Sequence, residues 1–251
     1  MRLIVTGAAG VLGSELIEQT LRADPQAEIV AVTRQPQALT RRWQGYANMK
    51  CCSWDELAQM PLADGDVIVH GAFPRQENGQ ELTEALDLTG TLLKKAGTSG
   101  KEIAWVDISS RSVYGQNEQT PWTETAELMP ASPYALAKAA QELLTRQAAE
   151  AYGFRYTVLR MAGLIGVGME ARLVSQMTMR AIHDRALTVM GGEQQFSMLD
   201  IRDAAAGIRA LLRKEPTAWR PLYNFGAEQA TRLKDIAPII QKEAQRLYGW
   251  R

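Results

Sequence analysis

Short runs of consecutive apolar residues alternate, over the first 160 or so positions, with longer stretches whose apolar side chains recur every three or four residues. Leu3–Thr6, Ile29–Val32, Val67–His70, Ile103–Ile108 and Tyr156–Arg160 form the first class. Val/Ile-rich runs bounded by breakers suit strands buried on both faces, as in a parallel sheet covered by helices. The second class comprises Val11–Ala23, Leu82–Ala96 and Tyr134–Tyr152; in the last, Leu143, Leu144, Ala148 and Ala151 recur at helical spacing. Strand–helix alternation of this kind predicts an α/β fold with a doubly wound parallel sheet. Beyond Arg160 the rhythm changes. Helices are expected over Glu170–Asp184, Ala204–Arg213 and Leu233–Tyr248, a strand over Leu222–Phe225, and Leu187–Met190 leads into a Gly191–Gly192 turn.

Composition narrows the picture without redirecting it. Of 251 residues, 46% are hydrophobic and 22% charged, a balance that supports a packed core and argues against disorder. Lys plus Arg and Asp plus Glu are 28 each, so no bulk field draws in nucleic acid or an acidic membrane surface. Cys51 and Cys52 are adjacent, and His70 and His183 are the only histidines, so neither a disulfide framework nor a metal site is expected. Thr6–Gly10 interrupts the short apolar run at the N-terminus, which removes a secretory-signal reading. No apolar stretch approaches the roughly 20 residues that cross a bilayer. The expected setting is a reducing cytoplasm.

The first chemistry sits where the first strand gives way to the first helix. Met1–Gly13 reads MRLIVTGAAGVLG, with Gly7, Gly10 and Gly13 in the turn and Val11 and Leu12 opening the helix. Residues without side chains let the backbone approach a pyrophosphate, and the helix N-terminus offers N–H donors and the positive end of its dipole. This is the signature of a Rossmann-type dinucleotide site. A carboxylate at the end of the second strand would accept hydrogen bonds from the ribose 2′-hydroxyl of NAD; Ala31-Val32-Thr33-Arg34 supplies none. Arg34 can instead grip a 2′-phosphate, with Arg41 and Arg42 adding to the field, so NADP(H) is favoured over NAD.

A second constellation follows the strand Ile103–Ile108. Ser109-Ser110-Arg111-Ser112-Val113-Tyr114-Gly115 is followed about twenty residues on by Tyr134-Ala135-Leu136-Ala137-Lys138. Tyr134 and Lys138, four apart, share a helix face. A lysine charge lowers a neighbouring phenol's pKa and makes it a usable acid or base, while a serine hydroxyl fixes a carbonyl oxygen. Ser110, Tyr134 and Lys138 are the candidate catalytic residues, with Ser112 a second hydroxyl close by.

Taken together, TGxxGxxG, SS-x-S-VYG and SPYALAK resemble the extended, epimerase/dehydratase-like branch of the short-chain dehydrogenase/reductase family, in an atypical, short form. Val67–Ala72, Thr157–Gly166, Leu199–Ala205 and Tyr223–Gly226 resemble later segments of that branch. The resemblance implies a general acid/base at Tyr134, a pKa-lowering, ribose-binding partner at Lys138, a carbonyl-orienting Ser110, and Gly71 and Ala72 beside the cofactor. It also implies residues 1–165 as an NADP(H)-binding domain, and 166–251 as a small substrate-covering lobe interleaved with the last sheet elements.

Departures from the pattern limit the function. Sugar-nucleotide dehydratases carry an Asp–Glu pair where Arg111 and Ser112 stand; an epimerase Asn is replaced by Gly163, a diphosphate-gripping Arg by Phe196, and a common Asn by Asp87. With one helix after Gly226 as well, the expectation is an oxidoreductase passing a hydride between NADP(H) and a small carbonyl or alcohol. A nucleotide-sugar epimerase or ketoreductase is the alternative within the class, and a non-catalytic NADP(H) sensor the alternative outside it. A homodimer is expected through paired helices, with Leu88, Leu92 and Ala96 on one outer face and Ala140, Leu144 and Ala148 on the other.

Overall fold

The structure, a computed structural model, describes residues 1–74, 78–115, 121–185 and 187–249. The chain begins β1 (Arg2–Thr6), α1 (Val11–Ala23), β2 (Glu28–Val32), α2 (Pro36–Arg42), β3 (Met49–Cys52) and α3 (Trp54–Gln59). It continues through β4 (Val67–His70), α4 (Gly79–Thr98), β5 (Ala104–Ser110), a 3-10 turn (Arg111–Tyr114), α5 (Pro133–Tyr152) and β6 (Arg155–Met161). Then come β7 (Gly163–Ile165), α6 (Leu173–Asp184), β8 (Gln195–Phe196), β9 (Met198–Asp200), α7 (Ile201–Leu212), β10 (Leu222–Phe225), β11 (Thr231–Arg232) and α8 (Leu233–Tyr248).

Seven strands form one sheet in the order β10-β6-β5-β4-β1-β2-β3, and β1 pairs in parallel with both β2 and β4. The expected doubly wound parallel sheet therefore forms. The chain winds outward from β1 to β3, then crosses back to β4 on the other side of β1. That reversal opens a crevice at the carboxyl ends of β1 and β4, the usual ligand position in such sheets. Ile4, Val30, Val32, Ile68 and Trp105 pack one sheet face against Leu92, Leu93 and Ala96 of α4 and Ala149 of α5. Leu16, Ile17 and Leu21 are the buried stripe of α1.

Local signals set where the helices begin and end. Ser132 caps α5 by accepting from Ala135 N at 3.2 Å, and Pro133 pre-sets the first turn. Tyr134 is thereby placed one residue into the helix. Gly153 ends α5 in the left-handed conformation, φ +79°, the stop that glycine makes without strain. Among the elements that hydrophobic patterning did not predict, β3 reads Met-Lys-Cys-Cys and lies at the sheet edge, where little apolar surface is needed. The adjacent α3 is announced by a capping box between Ser53 and Glu56.

The chain divides into two compact units. One holds Met1–Met161 with Ala205–Asn224, the other Ala162–Ala204 with Phe225–Arg251. Within the second, β7 pairs in parallel with β9, β8 pairs antiparallel with β11, and Met177 and Ala181 of α6 and Ile236, Ala237 and Ala244 of α8 are buried. Among the described residues no helix is long and apolar enough to cross a membrane.

The helices α4 and α5 lie against one another, but the outer face assigned to α4 needs correction. Ala85, Thr89, Leu92, Leu93 and Ala96 are buried, so Leu92 and Ala96 point into the core rather than outward. On α5 Leu136, Leu143 and Leu144 are exposed, as is Tyr152 at its C-terminal end. At Gly97 an added Cβ would lie 2.2 Å from the Tyr152 ring of α5; the same atom at Gly90 would meet nothing within 4 Å. Ala in place of a helical Gly ordinarily stabilises by roughly 1 kcal/mol. Gly90→Ala should follow that rule and raise the denaturation midpoint. Gly97→Ala should lower it, by about 1–3 kcal/mol of overpacking. A stabilising Gly97→Ala in urea titrations would refute the packing described.

Candidate active site

The glycine turn is built by close backbone approach. Gly7 sits at φ +73°, and a Cβ there would lie 2.8 Å from the carbonyl of Gly71; one on Gly13 would lie 2.4 Å from the Gly7 oxygen. Neither position tolerates a side chain. Gly10 leads into α1 without a side-chain cap, and the first turn of the helix, with Val11 and Leu12, carries no acidic residue. The early N–H groups of α1 are thus left without a competing carboxylate, which fits an anionic group such as a dinucleotide pyrophosphate.

The end of β4 is held to the end of β1 by a chain of hydrogen bonds whose directions are determined. Thr89 Oγ1 donates to Ala85 O at 2.7 Å, so it accepts from His70 Nε2 at 2.9 Å. His70 Nδ1 is then the acceptor for Thr6 Oγ1 at 2.9 Å, and Thr6 Oγ1 accepts in turn from the N–H groups of Gly71 and Ala72, both at 3.2 Å. Complete burial, and after it the charge of Lys138, pulls the His70 pKa down to about 3, so the imidazole is neutral, as the chain requires. Gly71 and Ala72 are fixed beside the glycine turn by side chains that motif reading passed over.

The strand register carries this polar row onward. His70 stands beside Asp107 on β5, as Thr6 stands beside His70. Asp107, Gln141 and Thr145 are wholly buried and Lys138 is 3% exposed. Lys138 Nζ donates to Ile108 O at 2.7 Å and to Gln141 Oε1 at 2.9 Å. Gln141 Nε2 donates to Asp107 Oδ1, and Thr145 Oγ1 donates to Asp107 Oδ2 at 3.1 Å. The Phe73 ring lies 4.0 Å from the ammonium and meets the Tyr134 ring edge-on at 6.1 Å. Burial pulls Lys138 down to about 8, opposed by Asp107 and Glu142; burial pushes Asp107 up to about 7, opposed by Lys138.

Ser110 ends β5, two residues beyond Ile108. Its Oγ accepts from Ser112 N at 3.2 Å and from Ser112 Oγ at 3.0 Å. Among the described residues its own proton finds no acceptor, so it remains available to donate. Next along the turn, Arg111 is half-buried, and desolvation lowers its pKa. A second buried cluster anchors the turn itself. Glu142 holds Arg160 at 2.7 Å and accepts from Ser109 at 2.5 Å, Arg160 donates to the Tyr114 hydroxyl at 2.9 Å, and Tyr114 donates to Asn224 Oδ1 at 2.5 Å.

Among the sequence-predicted residues, Gly7, Gly10, Val11, Leu12, Gly13, Gly71 and Ala72 cluster at the ends of β1 and β4, while Tyr134 and Lys138 share a face of α5 under the loop that carries Phe73. Arg34 is exposed just beyond β2, with no hydrogen bond or ion pair among the described residues. Arg42 is bound to Glu18 of α1, which also pairs with Arg22, and its guanidinium lies over Trp43. The residues missed are Thr6, His70, Asp107, Gln141 and Thr145. Asp107 had left a mark, an acid interrupting the apolar run Ala104-Trp105-Val106-Asp107-Ile108.

Residues 3–226 match the model of the NAD dependent epimerase/dehydratase family. The chain belongs to that family, whose members are enzymes. It is 24% identical over 263 residues to a trifunctional UDP-glucose 4,6-dehydratase/UDP-4-keto-6-deoxy-D-glucose 3,5-epimerase/UDP-4-keto-L-rhamnose-reductase of Arabidopsis thaliana, covering 96% of this chain and 39% of that one. The chain thus spans well under half the length of that relative. It is 28% identical to a dTDP-glucose 4,6-dehydratase of Streptomyces niveus, over 84% of this chain and 69% of the relative. Among solved structures it is similar to a UDP-glucuronic acid 4-epimerase from Bacillus cereus in complex with UDP-glucuronic acid and NAD, with a TM-score of 0.82 at 21% identity, covering 100% of this chain and 84% of the other.

Proposed function

We propose that this enzyme uses a nicotinamide dinucleotide to move a hydride to and from a hydroxyl-bearing carbon of a nucleotide-linked sugar, by epimerisation or ketoreduction rather than dehydration. The observation that carries the reading is a buried lysine ammonium one helical turn from Tyr134, together with a serine at the end of β5 whose proton finds no acceptor among the described residues. The relatives named as UDP- and dTDP-sugar enzymes support the substrate class. Arg111 and Ser112 oppose dehydration, because removal of water calls for an acid and a base of the kind a carboxyl pair supplies.

The residues divide the work as follows. Gly7, Gly10, Val11, Leu12 and Gly13 receive the pyrophosphate at the start of α1, with Gly71 and Ala72 along the dinucleotide. When bound, the dinucleotide supplies or accepts the hydride. Ser110 donates its hydrogen bond to the substrate oxygen and orients it. Tyr134 gives or takes the proton at that oxygen, and the Lys138 charge holds the phenol in a range where it can do so. Lys138 has used two of its N–H donors on Ile108 and Gln141, which leaves one for the ribose.

The choice of cofactor rests on one position. The Bacillus cereus relative is solved with NAD, yet β2 of this chain ends in Thr33 and Arg34 and offers no carboxylate to a 2′-hydroxyl. The proposal is therefore NADP(H), with Arg34 on the 2′-phosphate. Fluorescence titration should show NADPH binding more tightly than NADH, and Arg34→Ala should erase a preference of about 1.5–3 kcal/mol. Equal affinities in the unaltered protein would return the assignment to NAD.

Tyr134→Phe should lower turnover on a panel of nucleotide-linked sugars and small ketones by about 10²–10⁴-fold, with NADPH affinity nearly unchanged, since only the proton-carrying hydroxyl is lost. Retention of more than about a tenth of the rate would remove Tyr134 from this role. Turnover by neither protein on any panel member would favour a binding-only, sensing function.

The homodimer is part of the same proposal and now rests on α5, where Leu136, Leu143 and Leu144 stay exposed. Light scattering should give twice 27.8 kDa, and Leu144→Arg should halve it. A one-chain mass for the unaltered protein would end the idea.

A further inference from the structure

The geometry points to Asp107, acting through the side-chain amide of Gln141, as the counter-charge that keeps Lys138 protonated near neutral pH. Asp107 is a positioning residue in this scheme: it touches neither substrate nor cofactor and works through Lys138. The consequence for turnover rests on the function proposed above. The charge assignment itself does not.

The orientation of Gln141 carries the argument. Its oxygen faces Lys138 Nζ at 2.9 Å and its nitrogen donates to Asp107 Oδ1, so the amide dipole lies between cation and carboxylate with both ends satisfied. Thr145 occupies the second carboxylate oxygen at 3.1 Å. All four side chains are shut away from water. An isolated ammonium in such a place would shed its proton, and an isolated carboxylate would keep one; each charge persists because of the other. An amide bridge has a property that direct contact lacks. It transmits polarisation without letting the carboxylate take the lysine's proton or block its remaining donor.

The other groups facing Lys138 supply less of this charge; Glu142 adds to it after Asp107. Glu142, on the same helix, has its carboxylate bound by Arg160 of β6 at 2.7 Å and by Ser109 of β5 at 2.5 Å, so its charge is already matched. His70 of β4 is neutral, bonded at both nitrogens. Tyr134 on the preceding turn is the group to be served, and Phe73 offers only its ring face. That leaves Asp107 as the carboxyl in the cluster with no arginine of its own and as the larger of the two acidic contributions at Lys138.

The proposal is tested without substrate or cofactor. In full-length protein labelled at lysine with ¹³C and ¹⁵N, the Lys138 ε-resonance is identified by its loss in Lys138→Met and followed against pH. The midpoint should fall near 8 in the unaltered protein. Asp107→Asn keeps a group able to bond Thr145 and Gln141 while removing the charge, and should lower the midpoint by about one pH unit or more, a tenfold change in acid strength. Adding Gln141→Glu to Asp107→Asn moves the carboxylate next to the ammonium and should restore the midpoint to the original value or above. If Asp107→Asn does not fold, Asp107→Ser gives the same comparison. An unchanged midpoint on loss of the Asp107 charge, or a double variant no higher than Asp107→Asn, would overturn the assignment and leave Asp107 a purely structural residue. Because the readout is lysine titration, a failed Tyr134→Phe prediction would count against the catalytic reading alone.

Discussion

A cation taken out of water must be matched by its surroundings, and in this protein that cation is the ammonium of Lys138. The cost of burying an unmatched charge runs to several kcal/mol, a large fraction of a domain's stability. The matching groups come from different parts of the chain: the Ile108 carbonyl on β5, the Gln141 amide one turn further along α5, and Asp107 behind it. A helix that supplies Lys138 and Gln141 on one face must therefore lie over a strand that supplies Asp107. That requirement ties the register of β5 to the position of α5. Ser132, Pro133 and Gly153 then fix where the helix starts and stops, and so where Tyr134 stands.

The same row of residues reaches the glycine turn. From Asp107 the register passes to His70 and then to Thr6, whose hydroxyl receives the N–H groups of Gly71 and Ala72. The candidate proton-transfer group and the candidate pyrophosphate cradle are thus linked by one buried polar layer across the middle of a parallel sheet. Such a layer is stabilising only when each member is satisfied. Here His70 is held neutral and its two nitrogens have opposite roles, which a protonated ring could not reproduce. The Glu142–Arg160–Tyr114–Asn224 cluster does the comparable task for the 3-10 turn after Ser110, using a buried ion pair in place of a neutral chain.

Family membership and the local residues bear on different questions. The family model and the solved relatives establish the fold and the class of enzyme. The proposals about which cofactor and which step rest on particular side chains, Arg34 after β2 and Arg111–Ser112 after Ser110. One fold can serve several reactions because residues on loops and at strand ends choose among substrates.

Much of this was legible in the amino-acid sequence, and the physical reason is that the signals are local. Strand–helix alternation depends on which neighbours are apolar, the Gly7–Gly10–Gly13 turn on missing side chains, and the Tyr134–Lys138 pair on the helical repeat; each acts within a few residues. What the sequence did not disclose depends on residues far apart in the chain. The strand Met49–Cys52 has almost no pattern of its own and exists because β2 offers it an edge. The inward facing of Leu92 and Ala96 follows from how α4 lies on the sheet rather than from its periodicity, which gives a stripe but not its direction. That Arg42 shares the carboxylate of Glu18 with Arg22 follows from the packing of α2 near α1. Asp107 and Gln141 are 34 positions apart. Only the tertiary structure, by laying α5 across β5, turns an acid in an apolar run and an amide on a helix into partners of one lysine, because burial gives a charge no water to turn to and obliges the chain to supply its match.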